Sequence, residues 1–180
     1  MNADTQPGAV LSGSTLEYYQ AALDIHNGSM SDKVLRFMIA MDQLPILPGT
    51  PIPKEDFELA RKLIKEEFER EFKPAFDRFE ISQSLENLTE LVDGAMDTIY
   101  VVIWAMVKFG VPVDRCFGEV QRSNMAKLNA DGTVTKNAFG KVQKPEGWTP
   151  PDIFGILVDH YDPAVWHGNM RTHTRRAGDL

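Results

Sequence analysis

The segment from Ser84 to Phe109 constrains this chain more than any other, because it is too apolar for a solvated helix and too acidic for a membrane. Its longest apolar run, Thr98 to Val107, falls well short of the roughly 20 residues that a spanning helix needs, and Asp97 and Lys108 bound it. The segment must therefore be a core helix, and Gly110 with Pro112 beyond gives it a C-terminal stop. Glu90, Asp93 and Asp97 recur in it at intervals of three and four, which puts them on one helix face. Desolvating several like charges together is unfavourable unless a cation compensates them. No Lys or Arg stands between Arg78 and Lys108, so these acids lack a sequence-local cation. A divalent metal is the natural compensator.

A second acid-bearing helix is expected upstream, where Leu63, Ile64, Phe68, Phe72 and Phe76 define an apolar stripe. Glu67 and Glu71 fall on or beside that stripe, Glu66 flanks it, and Glu69 points to the opposite face. Two such helices facing each other would make an oxygen-rich cage. Neither segment offers His or Cys, so the cage suits Mg²⁺ or Mn²⁺ and not Zn²⁺. The competing reading of residues 61–73 is a solvated face in which Lys62, Lys65, Arg70 and Lys73 pair with the acids.

At 180 residues, 43% hydrophobic and 25% charged, the chain fits one domain with a real core. A net charge of −7 argues against a nucleic-acid-coating surface, and the basic cluster Arg171, Arg175 and Arg176 reads as a solvated tail. The single cysteine, Cys116, excludes an internal disulfide and fits a reducing compartment. Residues 1–13 are polar and not basic-then-apolar, so no signal peptide is expected and the protein should be cytoplasmic, with no membrane partner. The domain reading is an extension over 1–30 with a short helix, a helical domain over 31–161, and a tail over 162–180.

The expected elements are almost wholly helical. Ser14 with Glu17 resembles a capping box opening a helix to about Asn27. Ser31 and Asp32 cap a second helix that buries Val34, Leu35, Met38 and Ile39. Pro45, Pro48, Pro51 and Pro53 then force a loop. A long helix starts near Lys54, and Pro74 should kink or end it. After the Ser84–Phe109 helix comes another from Asp114 to Leu128. No stretch alternates with period two between turn residues, so a major sheet is not expected.

Residues 129–151 differ in kind, forming a long loop rich in Gly, Pro and Lys with one large aromatic. Lys136, Lys141 and Lys144 gather near a helix end that also carries Arg122, Asn124 and Lys127, an arrangement suited to an anionic ligand such as phosphate. The alternatives are a solvated lysine-rich loop, and Trp148 as a packing anchor rather than a platform for a base.

Leu63-Ile64-Lys65-Glu66-Glu67 with Glu71, then Glu90-Leu91-Val92-Asp93 and Asp97-Thr98-Ile99-Tyr100-Val101, resemble the paired acid motifs of the MazG-like all-α nucleoside triphosphate pyrophosphohydrolases. Glu119 through Lys127, the Asp131-Gly132 turn and Gly140 through Asp152 resemble a branch common in bacteriophage genomes, including the MazZ-like enzymes. The likeness covers about residues 32–155. It departs in one place: the family's first motif is usually Glu-Glu-x-x-Glu, and after Glu66 and Glu67 the third acid position holds Arg70. Glu71 is one residue late, and either a local bulge in the helix or simple use of the next turn would let it substitute, with the stripe geometry favouring Glu71 over Glu69.

The resemblance implies an all-α helical bundle with the long loop after its last core helix. It also implies hydrolysis of a nucleoside triphosphate to monophosphate and pyrophosphate. Two or more Mg²⁺ or Mn²⁺ ions would be held by Glu67, Glu71, Glu90 and Asp93, with Asp97 a ligand or an orienter of one, and Glu66 and Glu67 as the catalytic carboxylates, Glu66 either supporting a ligand or acting as the base that activates water. Arg122, Asn124, Lys127, Lys141, Lys144 and Trp148 are the implied substrate contacts. A homodimer or homotetramer is implied, with a neighbouring chain partly closing the site. The phage-type likeness points to dGTP first and to nucleotide-pool control in a host cytoplasm, with dUTP, dCTP or phosphoribosyl-ATP as alternatives. The rival class is a non-catalytic helical module that binds a partner protein through its acidic face.

Overall fold

The computed structural model describes residues 28–161 together with residues 15–17, 19 and 20. The tail from 162 onward and most of the expected N-terminal helix, Ser14 included, lie outside the described residues. Six α-helices follow in order among them: α1 (Met30–Ala40), α2 (Lys54–Glu66), α3 (Lys73–Ile81), α4 (Leu85–Lys108), α5 (Val113–Met125) and α6 (Ile153–His160). A π-helical segment, Glu67–Phe72, joins α2 to α3 without a break. The fold is all-α, as expected, and the one β-like feature among the described residues is an isolated bridge between Lys136 and Val142.

Local chemistry sets the helix ends. Ser29, not Ser31, caps α1: its hydroxyl accepts from the Asp32 N–H, and the Asp32 carboxylate accepts in return from the Ser29 N–H. The expected cap thus sits two residues too late, with Asp32 as the reciprocating acid of the box. Ser84 caps α4 by accepting from Asn87 N–H. Gly110 ends the same helix at φ +71°, and an added Cβ there would stand 2.9 Å from the Ile46 carbonyl oxygen. Only glycine meets both demands.

Helix α4 is the axis of the domain. Against it pack α1, α2, α3 and the π-helical segment. The core formed there contains Val34, Leu35 and Met38 of α1, Ala60 of α2, and Trp104, Ala105 and Val107 of α4. Burying each of the larger side chains contributes roughly 1.5–3 kcal/mol, and Met38 retains no exposed surface at all. The proline-rich connection from α1 to α2 is pinned to the end of α4. Lys108 donates to the Leu44 carbonyl at 2.9 Å, and Ile46 N–H donates to the Lys108 carbonyl at 3.0 Å.

Two further features complete this architecture. Pro74 does not end its helix, which continues through α3 to Ile81, but the regular α-helix is interrupted by the π-helical turn just before it. In a straight α-helix the proline ring meets the carbonyl four residues back, here that of Arg70, and leaves it without a donor. The widened turn spanning Arg70 relieves that conflict. After the long loop a further helix, α6, which the sequence pattern did not announce, packs on α5 without burying a residue of its own. There Arg115 pairs with Asp159 at 2.6 Å, and the His160 ring nitrogen meets the Gly110 carbonyl at 3.1 Å. No single described helix is long and apolar enough to cross a membrane; α4 and α5 pass that test only together, across a bend of 117°.

Candidate metal centre

The acids of the two helices meet where the π-helical segment crosses α4. Carboxylate oxygens of Glu67, Glu71 and Asp97 all lie within 4.8 Å of one another. Two features of the sequence make that meeting possible. The first is the π turn itself. The Lys73 N–H reaches back five residues to the Phe68 carbonyl, and the wider turn brings residues four apart nearly into line. Glu67 and Glu71, four residues apart, keep the shared face that this interval gives in a helix, although Arg70 occupies the place where the usual motif carries its third acid. The ring ladder Phe68, Phe72 and Phe76, with centroids 5.8 and 6.1 Å apart, runs along the same stretch at the same interval.

The second feature is Gly94, which the sequence reading passed over. A Cβ at this buried position would stand 2.9 Å from the Phe72 nitrogen, 3.0 Å from the Phe72 Cα and 3.1 Å from the Glu71 carbonyl carbon. All three are backbone atoms, so they have no side-chain freedom with which to yield. The missing side chain lets the backbone at Glu71 lie directly on α4, and Asp97 is the acid one turn further along. A lone glycine inside a 24-residue helix was the available signal, because such a residue costs about 1 kcal/mol relative to alanine and calls for a packing reason.

The electrostatics suit an oxygen cage that holds a cation. Burial first, then the negative charges of Glu71, Asp97 and Glu66, push the Glu67 carboxyl above the ordinary carboxylate range. None of Glu67, Glu71, Asp93 and Asp97 makes an ion pair among the described residues. The donors are carboxylate oxygens alone, the set that suits a hard divalent ion.

The remaining acids part company with this trio. Glu90 accepts from Arg78 Nε at 2.9 Å and from Arg78 Nη2 at 2.6 Å. One acid of α4, Glu90, does have a cation after all. It comes from the preceding helix, which reasoning from the local sequence of α4 alone left out. Asp93 is exposed and is not among the three that converge. Glu66 faces Arg70 at 3.4 Å and Glu69 faces Lys65 at 3.7 Å, so the solvated-face reading holds for part of this helix. Such exposed pairs contribute little, about 0–1 kcal/mol each.

The expected anion contacts separate in the same way. Arg122 donates through Nε and Nη2 to the two carboxylate oxygens of Glu119, at 2.8 and 2.7 Å, and reaches the Pro150 carbonyl. That double contact, together with the Asp152 N–H, holds the Glu119 carboxyl down at about 2. Arg122 is thus a fastener between α5 and the loop. Trp148 is half-buried, and its indole N–H donates to the Ser123 carbonyl at 2.8 Å. Lys144 lies over the Trp148 ring at 4.2 Å, so the tryptophan is an anchor whose face a cation already covers. Lys127 donates to Asn124 Oδ1 at 2.8 Å. Lys141 is exposed and makes no ion pair among the described residues.

Residues 37–124 match the family model described as phosphoribosyl-ATP pyrophosphohydrolase. That family belongs to the MazG-like all-α nucleoside triphosphate pyrophosphohydrolase superfamily, so the match points to a nucleotide pyrophosphohydrolase, a hydrolase of acid anhydrides. Enzymes of this superfamily typically use divalent metals. No curated protein matches the chain. The matched span opens at Phe37 in α1 and closes at Asn124 in α5, so it holds the whole acid site and stops short of the lysine-bearing loop.

Proposed function

We propose that this protein is a divalent-metal-dependent pyrophosphohydrolase that converts a nucleoside triphosphate to its monophosphate and pyrophosphate, with dGTP as the first substrate and nucleotide-pool control in a phage as its setting. One observation supports the reading above the others. Glu67, Glu71 and Asp97 converge at the crossing of the π-helical segment and α4, inside the span that matches the pyrophosphohydrolase family. Mg²⁺ or Mn²⁺ held by these three residues would neutralise charge on the phosphate oxygens and acidify a water. Asp93, one turn before Asp97 on the same helix, is the proposed fourth acid of the cage, whereas Glu90 is assigned to Arg78.

The chemistry asked of the chain is modest. A water oxygen bonds to the α-phosphorus, the bond from that phosphorus to the bridging oxygen breaks, and pyrophosphate leaves with the bridging oxygen. The water's proton passes to a carboxylate. Glu67, half-buried beside Glu71 and Asp97, is the proposed acceptor, and Glu66 next to it is the second candidate. Lys141 and Lys144, with Lys127 and Asn124 at the end of α5, offset the charge of the triphosphate tail.

The assembly is proposed to be a homodimer or homotetramer. Leu85, Leu88, Val92, Met96, Ile99 and Val102 form an exposed row at helical spacing along α4. A row of that length on the central helix of a domain calls for a partner surface. A second reading of the substrate, phosphoribosyl-ATP, is favoured by the description of the matching family.

Pyrophosphate release with Mg²⁺ or Mn²⁺ across the common ribo- and deoxyribonucleoside triphosphates and phosphoribosyl-ATP, with the nucleotide product identified by chromatography, decides among these. Monophosphate from one preferred triphosphate supports the first reading, and preferential turnover of phosphoribosyl-ATP supports the second. No turnover of any substrate, in folded protein supplied with metal, sinks both and leaves the protein-binding module.

A further inference from the structure

The loop from Asn129 to Trp148 is ordered by its own polar groups, not by a core. The Asn129 side-chain amide donates to the hydroxyls of Thr133 and Thr135. Asn137 Oδ1 accepts from the N–H groups of Phe139 and Lys141, and Asn137 N–H donates to the Lys141 carbonyl. Gln143 N–H donates to the Thr135 carbonyl at 2.8 Å, which completes a short hairpin around the Lys136–Val142 bridge. Trp148, Thr149 and Pro150 bind the base of this hairpin to Ser123 and Arg122 of α5. Nothing in Thr133–Gln143 bonds to α4 or to the π-helical segment among the described residues.

Isolated hairpins are marginal in water, yet this one holds Phe139 out at its tip with 95% of its surface exposed, flanked by exposed Val134 and Val142. Lys136 and Lys141 are its only charges, with Lys144 just beyond it, because no acid stands between Asp131 and Glu146. The opposite pattern occurs where the π-helical segment crosses α4. There Glu67, Glu71 and Asp97 converge without an ion pair, beside exposed Val92 and Met96. One surface offers an aromatic tip between cations, and the other offers apolar side chains next to uncompensated anions.

We infer that the Thr133–Gln143 hairpin is an arm exchanged between two copies of this chain. Phe139 seats on the α4 row of the second copy, and Lys136 and Lys141 come to the rim of that copy's acid trio. Each site is then completed by its neighbour's arm, and Lys141 meets the anionic tail of a substrate bound across the interface. The catalytic part of this inference rests on the pyrophosphohydrolase reading; the docking part does not.

The two parts are tested separately. For docking, a benzophenone photocrosslinker replaces Phe139 in unlabelled full-length chain, which is mixed and refolded with ¹⁵N-labelled chain, irradiated and mapped by mass spectrometry. Crosslinks from the unlabelled hairpin to labelled peptides within 67–76 or 85–102 are expected. Crosslinks confined to the same chain, or none to those peptides, overturn the exchange. For catalysis, Glu67→Gln chains are co-assembled with Lys136→Ala/Lys141→Ala chains, each inactive or nearly so alone. An exchanged arm restores one intact site in each mixed pair, or about a quarter of wild-type activity for random pairing in a two-fold dimer. An arm serving its own chain restores nothing, and that result also overturns the inference. Should the wild-type protein hydrolyse no nucleotide, the functional reading fails while the crosslinking result still decides the docking.

Discussion

Replacing Gly94 with alanine tests whether the close approach of two backbones holds the acid trio together. The new Cβ would lie 2.9 Å from the Phe72 nitrogen, where ordinary contact begins at 3.4 Å, so the π-helical segment must retreat by about 0.5 Å, the difference of the two. Overpacking of this kind costs about 1–3 kcal/mol. Alanine returns about 1 kcal/mol through helix propensity. The net expectation is a loss of about 0–2 kcal/mol, and a melting temperature lower by several degrees at most for a domain of this size. The effect on metal should be larger in proportion, because a cage tolerates only about 0.5 Å of misplacement. Mn²⁺ affinity is expected to fall about tenfold or more, with the helical circular dichroism unchanged. Gly118 is the control: it also sits inside a helix, but a Cβ there meets nothing within 4 Å, so Gly118→Ala should raise stability by up to about 1 kcal/mol and leave metal affinity alone. Melting with and without Mn²⁺, with calorimetric titration of the ion, reads both quantities. If Gly94→Ala binds Mn²⁺ like the wild type and melts no lower, the argument from close approach is refuted.

Further expectations concern the acids and the loop. Glu67→Gln and Asp97→Asn should abolish the Mn²⁺-dependent rise in melting temperature, which mass action sets at about 2.7 kcal/mol when the ion is at 100 times its dissociation constant. Glu69→Gln should leave that rise intact, and an equal loss there would mean that the helix phase is misassigned. Glu90→Gln should also keep most of the metal shift. In a double-mutant cycle with Arg78→Ala it should show a coupling of about 0.2–1 kcal/mol, the range measured for exposed pairs that do interact, and a coupling indistinguishable from zero would mean that the pair contributes nothing to stability. The Glu119 carboxyl, held down at about 2 by Arg122 and the Asp152 N–H, supplies a pH test. A depressed folded value means that its stabilisation is complete above the ordinary carboxylate value of 4.5 and is lost as pH falls from there toward about 2. The Trp148 indole proton, followed by NMR, should gain solvent exchange across that window in the wild type, and already at neutral pH in Glu119→Gln. Identical profiles in both proteins would free Glu119 from the fastening role.

The sequence showed the outline of the fold more readily than the composition of the site. Helix α4 was legible end to end, because Ser84, an apolar run and Gly110 speak through local rules of capping, periodicity and chain reversal. Glu67, Glu71 and Asp97 were visible as candidates for the same reason. Their separation from Glu90 was not, because the Arg78–Glu90 pair joins residues twelve apart across a helix turn that the chain makes at Ser82 to Ser84. Arg122 misled in a similar way. Three residues from Glu119 it finds a bidentate partner on its own helix, a pairing that helical spacing predicts whenever an acid stands at that interval.

Pro74, Arg70 and Gly94 are best understood as one arrangement. A proline seven residues after Glu67 penalises a straight α-helix through Arg70, and the widened turn that relieves it keeps Glu71 on the face of Glu67. The same turn brings the backbone of Glu71 and Phe72 to α4, and only a residue without a Cβ lets it settle there. The shift of one residue in the acid motif and the glycine opposite it thus depend on each other. A residue deleted from the turn alone, or a side chain added at position 94 alone, should each disperse the trio, because neither leaves the other half of the contact a surface that fits.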